Sequence, residues 1–256
     1  MLLVIDVGNT NIVVGVYDGP QLLNSWRLKT DREQTTDEIG MLLLQLFSCS
    51  GIDHKAVKEA IGCSVVPPLS YAVQRAVSRY FAVELLLVGP GMRTGMPILY
   101  DNPREVGADR IVNAVAAYER AKGGVIVVDF GTATTFDCVT PKGEYIGGAI
   151  VPGIQISLDA LIQRTAKLPR VEIAWPPAVV GRNTIEAIQA GILFGYVALV
   201  DGLIERIRNE LEFDAAVIAT GGLARTVSAQ SKHIGAVEPL LTLEGLHILS
   251  ARTRKG

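Results

Sequence analysis

The chain has 256 residues, with 24 Lys and Arg against 26 Asp and Glu and a formal net charge of −2, and 49% of its residues are hydrophobic against 20% charged. That near-neutral balance carries no sign of a nucleic-acid or membrane surface, and the composition is that of a packed chain rather than a disordered one. Met1 leads straight into a strand pattern with no basic leader, and no uncharged run approaches the ~18–20 residues that span a bilayer, so a cytoplasmic protein of one large or two modest domains is expected.

Residues 2–5, 12–17 and 22–28 read as an antiparallel meander, with turn chemistry at Asp18-Gly19-Pro20. Thr35-Thr36-Asp37-Glu38 has capping-box spacing, and Ile39, Leu42, Leu43 and Leu46 recur at helical period, which predicts a helix to about Phe47. A strand over 57–66 ended by Pro67-Pro68, a helix over 70–81 and a strand over 84–88 follow. Residues 89–106, GPGMRTGMPILYDNPREV, break the rhythm with three glycines and three prolines. A loop this long is functional or disordered. The next helix carries Val106, Ile111, Ala114, Val115 and Tyr118 on one face and ends near Lys122-Gly123-Gly124, where the domain boundary is expected, giving lobes 1–122 and 123–256.

Beyond that point the pattern repeats. VIDVGNTNIVVGVYDG and VVDFGTATTFDCVTPKG align Asp6 with Asp129 and Gly8 with Gly131, each pair at the end of an apolar strand and the start of a hairpin. Strands over 125–128, 136–140 and 144–151 complete the second meander. A helix over 155–166, an irregular stretch 167–182, a long helical pattern over 184–211, a strand over 215–219 running into Thr220-Gly221-Gly222 and a last helix from about Leu243 complete the chain. Strand–helix alternation after each meander indicates an α/β fold, a mixed sheet covered by helices in each of two duplicated lobes. The three cysteines, Cys49, Cys63 and Cys138, read as small core residues in a reducing compartment, and His54, His233 and His247 have no metal-ligand spacing.

One Asp-x-Gly-[Asn/Thr] turn is ordinary turn chemistry. Two, with the carboxylate at the same offset in both halves, point to paired loops that face each other across a cleft and clamp a polyphosphate with its counter-ions. The Gly89-Pro90-Gly91 run is no dinucleotide fingerprint, since its third glycine falls one residue late and Pro97 blocks a prompt helix. No Gly-x-x-x-x-Gly-Lys-[Ser/Thr] occurs, which removes a P-loop kinase. Gly107-Ala108-Asp109-Arg110 places a carboxylate and a guanidinium in the first turn of a helix. Asp109 there either complements the helix dipole or, beside a phosphate cleft, accepts a proton from an attacking hydroxyl, with Arg110 holding an anionic substrate.

The paired loops and the late Gly-Gly resemble the acetate and sugar kinase, heat-shock-70 and actin superfamily, whose two ribonuclease-H-like lobes hold ATP in a cleft between them. DVGNTN, Tyr100 through Arg110, DFGTATT and TGGLA together closely resemble the type III pantothenate kinase family over essentially the full length. The resemblance implies that Asp6, Val7, Gly8, Asn9, Thr10, Asn11, Ile12, Val13 and Thr132 contact ATP, with Asp6 on Mg²⁺. It implies that Asp129 holds a monovalent cation (K⁺ or NH₄⁺) and that Asp109 is the proton acceptor. Tyr100, Gly107, Ala108, Asp109, Arg110 and Thr184 would line a pantothenate pocket. The reaction implied is phosphorylation of pantothenate to 4′-phosphopantothenate, the first step of coenzyme A synthesis. An actin-like or chaperone-like ATPase, or a transcriptional accessory protein, is the alternative.

The stretch 185–200, IEAIQAGILFGYVALV, has one charge in sixteen residues and is apolar nearly all round, so a helix there needs cover on most of its surface. A second chain is the expected cover, giving a homodimer with a pantothenate pocket shared between protomers. Gly191 and Gly195 at i, i+4 fit either that contact or packing within the chain.

Overall fold

The structure is a computed structural model and describes residues 1–254. The chain separates into two compact units, Met1–Ala116 with Leu240–Gly256, and Ala117–Pro239.

In the first unit, β1 (Leu2–Val7), β2 (Asn11–Asp18) and β3 (Gln21–Lys29) form the antiparallel meander. Then come α1 (Thr36–Cys49), β4 (Glu59–Ser64), α2 (Pro67–Phe81), β5 (Leu85–Leu87) and α3 (Ala108–Ala121), whose residues from Ala117 on belong to the second unit. The sheet order is β3-β2-β1-β4-β5, with β4 parallel to β1 and β5 parallel to β4. Alternation along β1 turns Leu3, Ile5 and Val7 into one core with Leu43, Phe47, Val73 and Val77 of α1 and α2. The C-terminal helix α7 (Leu241–Thr253) packs on β1, β2 and β4 of this unit, with His247 stacked on Tyr17 at 4.4 Å. Thr242 of α7 donates to the buried Asn113 of α3 at 2.8 Å.

The second unit repeats the plan. β6 (Val125–Phe130), β7 (Ala133–Val139), β8 (Tyr145–Pro152), β9 (Ala216–Gly221) and β10 (Ala236–Val237) run in the order β10-β9-β6-β7-β8. Pairing is again antiparallel along the meander and parallel for β6–β9–β10. Helices α4 (Ile154–Gln163), α5 (Thr184–Glu210) and α6 (Ala224–Ser228) cover it, with Tyr196, Val200 and Ile204 of α5 in the core. The buried Asp137 accepts from Thr135 Oγ1 at 2.8 Å and from the Tyr145 hydroxyl at 2.7 Å, so its charge is met by donors.

The duplicated α/β fold is as the sequence pattern indicates, and so is the capping box, with Thr35 and Glu38 each accepting from the other's backbone. Several boundaries differ for physical reasons. Pro67 opens α2 instead of closing a strand, because a proline at the first helical position has no N–H to lose. Asp6 and Asp129 lie within strands rather than beyond them, since their backbones continue the ladders to Val13 and Cys63, and to Thr135 and Thr220. Helix α6 and the two-residue β10 are too short to leave a period in the sequence. Cys49 is exposed at the last turn of α1, whereas Cys63 and Cys138 are buried. Where the sequence places the whole C-terminal segment in the second lobe, α7 belongs to the first compact unit. Among the described residues one helix, α5, is long and apolar enough by length and composition to cross a membrane.

Candidate active site

Strand β1 ends in a turn over residues 8–10, closed by the Gly8 N–H donating to the Asn11 carbonyl at 3.0 Å. Across the sheet Asp6 stands between Cys63 of β4 and Val13 of β2, and Val13 pairs with Arg27 of β3. That register puts Arg27, Val13, Asp6 and Cys63 in one row. The Cys63 thiol donates to Asp6 Oδ1 at 3.3 Å.

Asp109, in the first turn of α3, lies close enough for its charge to act on Asp6. A Cβ at Gly107 would stand 2.5 Å from Asp109 Oδ1, so the glycine leaves the carboxylate room to fold back over the chain. The same oxygen accepts the Arg110 N–H at 2.8 Å, and the Arg110 side chain is buried. Burial raises Asp109 above the usual carboxylate range, against the pull of the Arg110 N–H and charge. Asp6 is pushed up to about 7, first by burial and then by the Asp109 charge, with the Cys63 thiol and Arg27 working the other way. Tyr100 lies half-buried in the long loop, whose Thr94 carbonyl is held by Arg252 of α7 at 2.5 Å.

In the second unit the equivalent turn is one residue shorter, with the Gly131 N–H donating to the Ala133 carbonyl at 3.1 Å. The Gly153 N–H donates to the Thr132 carbonyl at 3.1 Å. The Tyr196 hydroxyl lies 2.7 Å from Thr134 Oγ1 and 2.8 Å from the Pro152 carbonyl, which ties α5 to β7 and β8. Gly221, at φ +93°, leaves the space that the Asp129 carboxylate uses, since a Cβ there would stand 2.6 Å from Asp129 Oδ1. Thr184 opens α5 with its side chain exposed, behind an Asn183 cap that accepts the Glu186 N–H at 2.9 Å.

Within the first unit, then, the structure brings Asp6, Asp109 and Arg110 into one neighbourhood. Motif reading passes over Cys63, Arg27, Thr30 and Arg32. The first two could have been found by carrying strand register across from Asp6, and the last two only from hydrogen bonds.

Two topologically equivalent α/β units, each with an aspartate one residue from the end of its first strand and a hairpin beyond it, make a duplicated fold of the sugar-kinase type. Fold comparison agrees. An inorganic polyphosphate/ATP-glucomannokinase from Arthrobacter sp. strain KM superposes with a TM-score of 0.50 at 12% identity over 99% of this chain and 98% of its own. A Campylobacter jejuni protein described as a Baf family transcriptional activator reaches 0.61 at 17% identity over 99% and 100%. At such identities the likeness is one of fold alone. Residues 2–206 match the family model for type III pantothenate kinase. Type III pantothenate kinases of Myxococcus xanthus and Geobacter sulfurreducens are 58% and 57% identical to this chain, over 98% of both chains and 100% of both chains respectively. The chain belongs to the type III pantothenate kinase family.

Proposed function

We propose that this protein transfers the γ-phosphoryl group of ATP to the primary hydroxyl of pantothenate, giving 4′-phosphopantothenate for coenzyme A synthesis. Family membership supplies the reaction. The observation that carries the assignment of roles is the carboxylate of Asp109, folded over Gly107 at the mouth of α3 and close enough to Asp6 for their charges to interact.

Asp109 accepts the hydroxyl proton as the oxygen attacks in line. Burial makes it a stronger base than an exposed carboxylate, and Arg110 keeps it ionised enough to act. Arg110, Gly107, Ala108, Tyr100 and Thr184 receive pantothenate, the guanidinium matching its carboxylate. Residues 6–13, with Thr132, receive ATP, their turn amides spreading the charge that develops on the phosphoryl oxygens.

Among the described residues no group of three or more His, Cys, Asp or Glu forms a metal cage. The donor set fits Mg²⁺ held in the kinase manner, by one or two carboxylates together with nucleotide phosphates. Asp6, raised by burial and by a second carboxylate, is the residue that a divalent cation would relieve. Bound there with ATP, the ion supplies charge neutralisation at the phosphates. Asp129, seated against Gly221, would hold a monovalent cation, K⁺ or NH₄⁺. The working form is a cytoplasmic homodimer that needs neither nucleic acid nor membrane.

A coupled assay for ADP release, run with and without pantothenate, tests the reading. ADP formed only with pantothenate supports it. Release independent of pantothenate would point instead to an ATPase switch.

A further inference from the structure

The first phosphate turn is braced from outside by a segment that none of these roles includes. Thr30, just beyond β3, donates through Oγ1 to the Gly8 carbonyl at 2.7 Å and through its N–H to the Thr10 carbonyl at 3.0 Å. Two residues further on, Arg32 Nη2 donates to Asn9 Oδ1 at 2.9 Å. Three consecutive residues of the turn are therefore held by one short stretch of chain.

Arg32 is exposed, and among the described residues Asn9 is its one hydrogen-bond partner and no carboxylate pairs with it. The neighbouring Asp31 turns its Oδ1 to the Glu33 N–H at 3.0 Å. A guanidinium has five N–H donors, and the bond to Asn9 uses one. A long, entropically costly side chain is thus fixed at the apex of a phosphate turn with its charge unmatched. The acidic groups in this unit's site, Asp6 and Asp109, add negative charge that a polyphosphate would meet on arrival.

We propose that Arg32 is a direct ligand of the ATP polyphosphate, and that Thr30 positions the turn and Arg32 as one piece. The proposal rests on the reading of residues 6–13 as the ATP loop. Recognition would be through two parallel N–H groups on phosphate oxygens, the geometry that favours arginine over lysine.

The test is nucleotide affinity, measured by calorimetry on the full-length protein with Mg²⁺, for wild type, Arg32→Ala, Arg32→Lys, Asn9→Ala and the Asn9→Ala/Arg32→Ala pair. Arg32→Ala should weaken ATP binding by roughly tenfold to a hundredfold, the range for one lost hydrogen bond to a charged group. It should leave adenosine affinity and the pantothenate KM at saturating ATP unchanged, with Arg32→Lys recovering part of the loss. If Arg32 contacts phosphate itself, the double variant binds ATP more weakly than Asn9→Ala alone. Wild-type ATP affinity in Arg32→Ala would overturn the proposal. So would equal losses for ATP and adenosine, or a double variant no weaker than Asn9→Ala. A wild-type protein that failed to bind ATP would overturn the parent reading of the loop, and this one with it, and the wild-type titration reveals that separately.

Discussion

The charge of Asp109, on α3, adds to burial in pushing the carboxyl of Asp6, on β1, up to about 7. Two carboxylates whose charges repel are a poor arrangement by themselves and a good one for a site that receives a cation with its nucleotide. The strain has a thermodynamic signature. A carboxyl whose folded value lies near 7 and whose ordinary value is 3.8 binds its proton more tightly when folded. Its contribution to stability is therefore complete below 3.8 and is lost as pH rises through about 7.

Asp6→Asn should accordingly raise the melting temperature of the nucleotide-free, chelator-treated protein. The gain should be small near pH 4 and grow towards pH 8, while Mg²⁺-dependent ATP binding weakens. Thermal melts across that range check it. A gain that does not change with pH would show that the carboxylate is not strained in the empty state.

Asp109→Asn should preserve the fold and ATP affinity but lower kcat by roughly 10²–10⁴, the usual contribution of a positioned general base. The amide keeps the shape of the side chain over Gly107 and removes the basic oxygen. Steady-state kinetics with both substrates saturating measure the effect, and turnover near the wild-type rate would remove Asp109 from the role.

Asp129 occupies in β6 the place that Asp6 holds in β1, yet one nucleotide needs a single divalent clamp. Activity should therefore depend on a monovalent cation, K⁺ or NH₄⁺ well above Na⁺, and Asp129→Ala should lose that dependence along with most of the rate. Initial rates in matched sodium and potassium buffers decide it, and equal rates would count against a cation at Asp129.

The strands and their duplication were legible because two independent signals agreed, hydrophobic alternation and the repeated Asp-x-Gly. Their ends were less so. Hydrophobicity stops at Ile5 and Val128, but the hydrogen-bond ladder runs on through Asp6-Val7 and Asp129-Phe130, and only pairing reveals that. The neighbourhood of Asp6 was legible where its residues are contiguous, as in Gly107 to Arg110. It was opaque where contact is made across strands. Nothing local marks Cys63 as the donor to Asp6, or Thr30 and Arg32 as braces of residues 8–10. Helix α7, which reads as the tail of the second lobe, joins the first unit because its apolar face is covered by β1, β2 and β4, a long-range choice that no local pattern records.

The last expectation concerns assembly. In α5 the backbone at Gly191 and Gly195 is bare, and a Cβ added at either would meet nothing within 4 Å, so packing within the chain does not explain them. Ile185 and Leu199 of the same helix are exposed, as are Ile150 at 61% and Val180 at 81% elsewhere in this unit. Ile185 and Leu199 share one face of α5 with the bare Gly191 and Gly195, which leaves that face of an apolar helix open, and a second copy of the chain is the cover we propose. Thr184 begins α5, so burying the helix at a two-fold interface would let one protomer's Thr184 complete a pocket around the other's Asp109. Two inactive variants, Asp109→Asn and a Thr184 substitution bulky enough to fill the pocket, should then restore activity when mixed, because one of the two sites in a mixed dimer carries both wild-type residues. Random exchange makes half the dimers mixed, and the recovered activity should be roughly a quarter of wild type by the symmetry of a two-fold dimer. Light scattering should show a dimer at the assay concentration. A monomer there, or no recovery after verified subunit exchange, would mean that each chain builds its site alone.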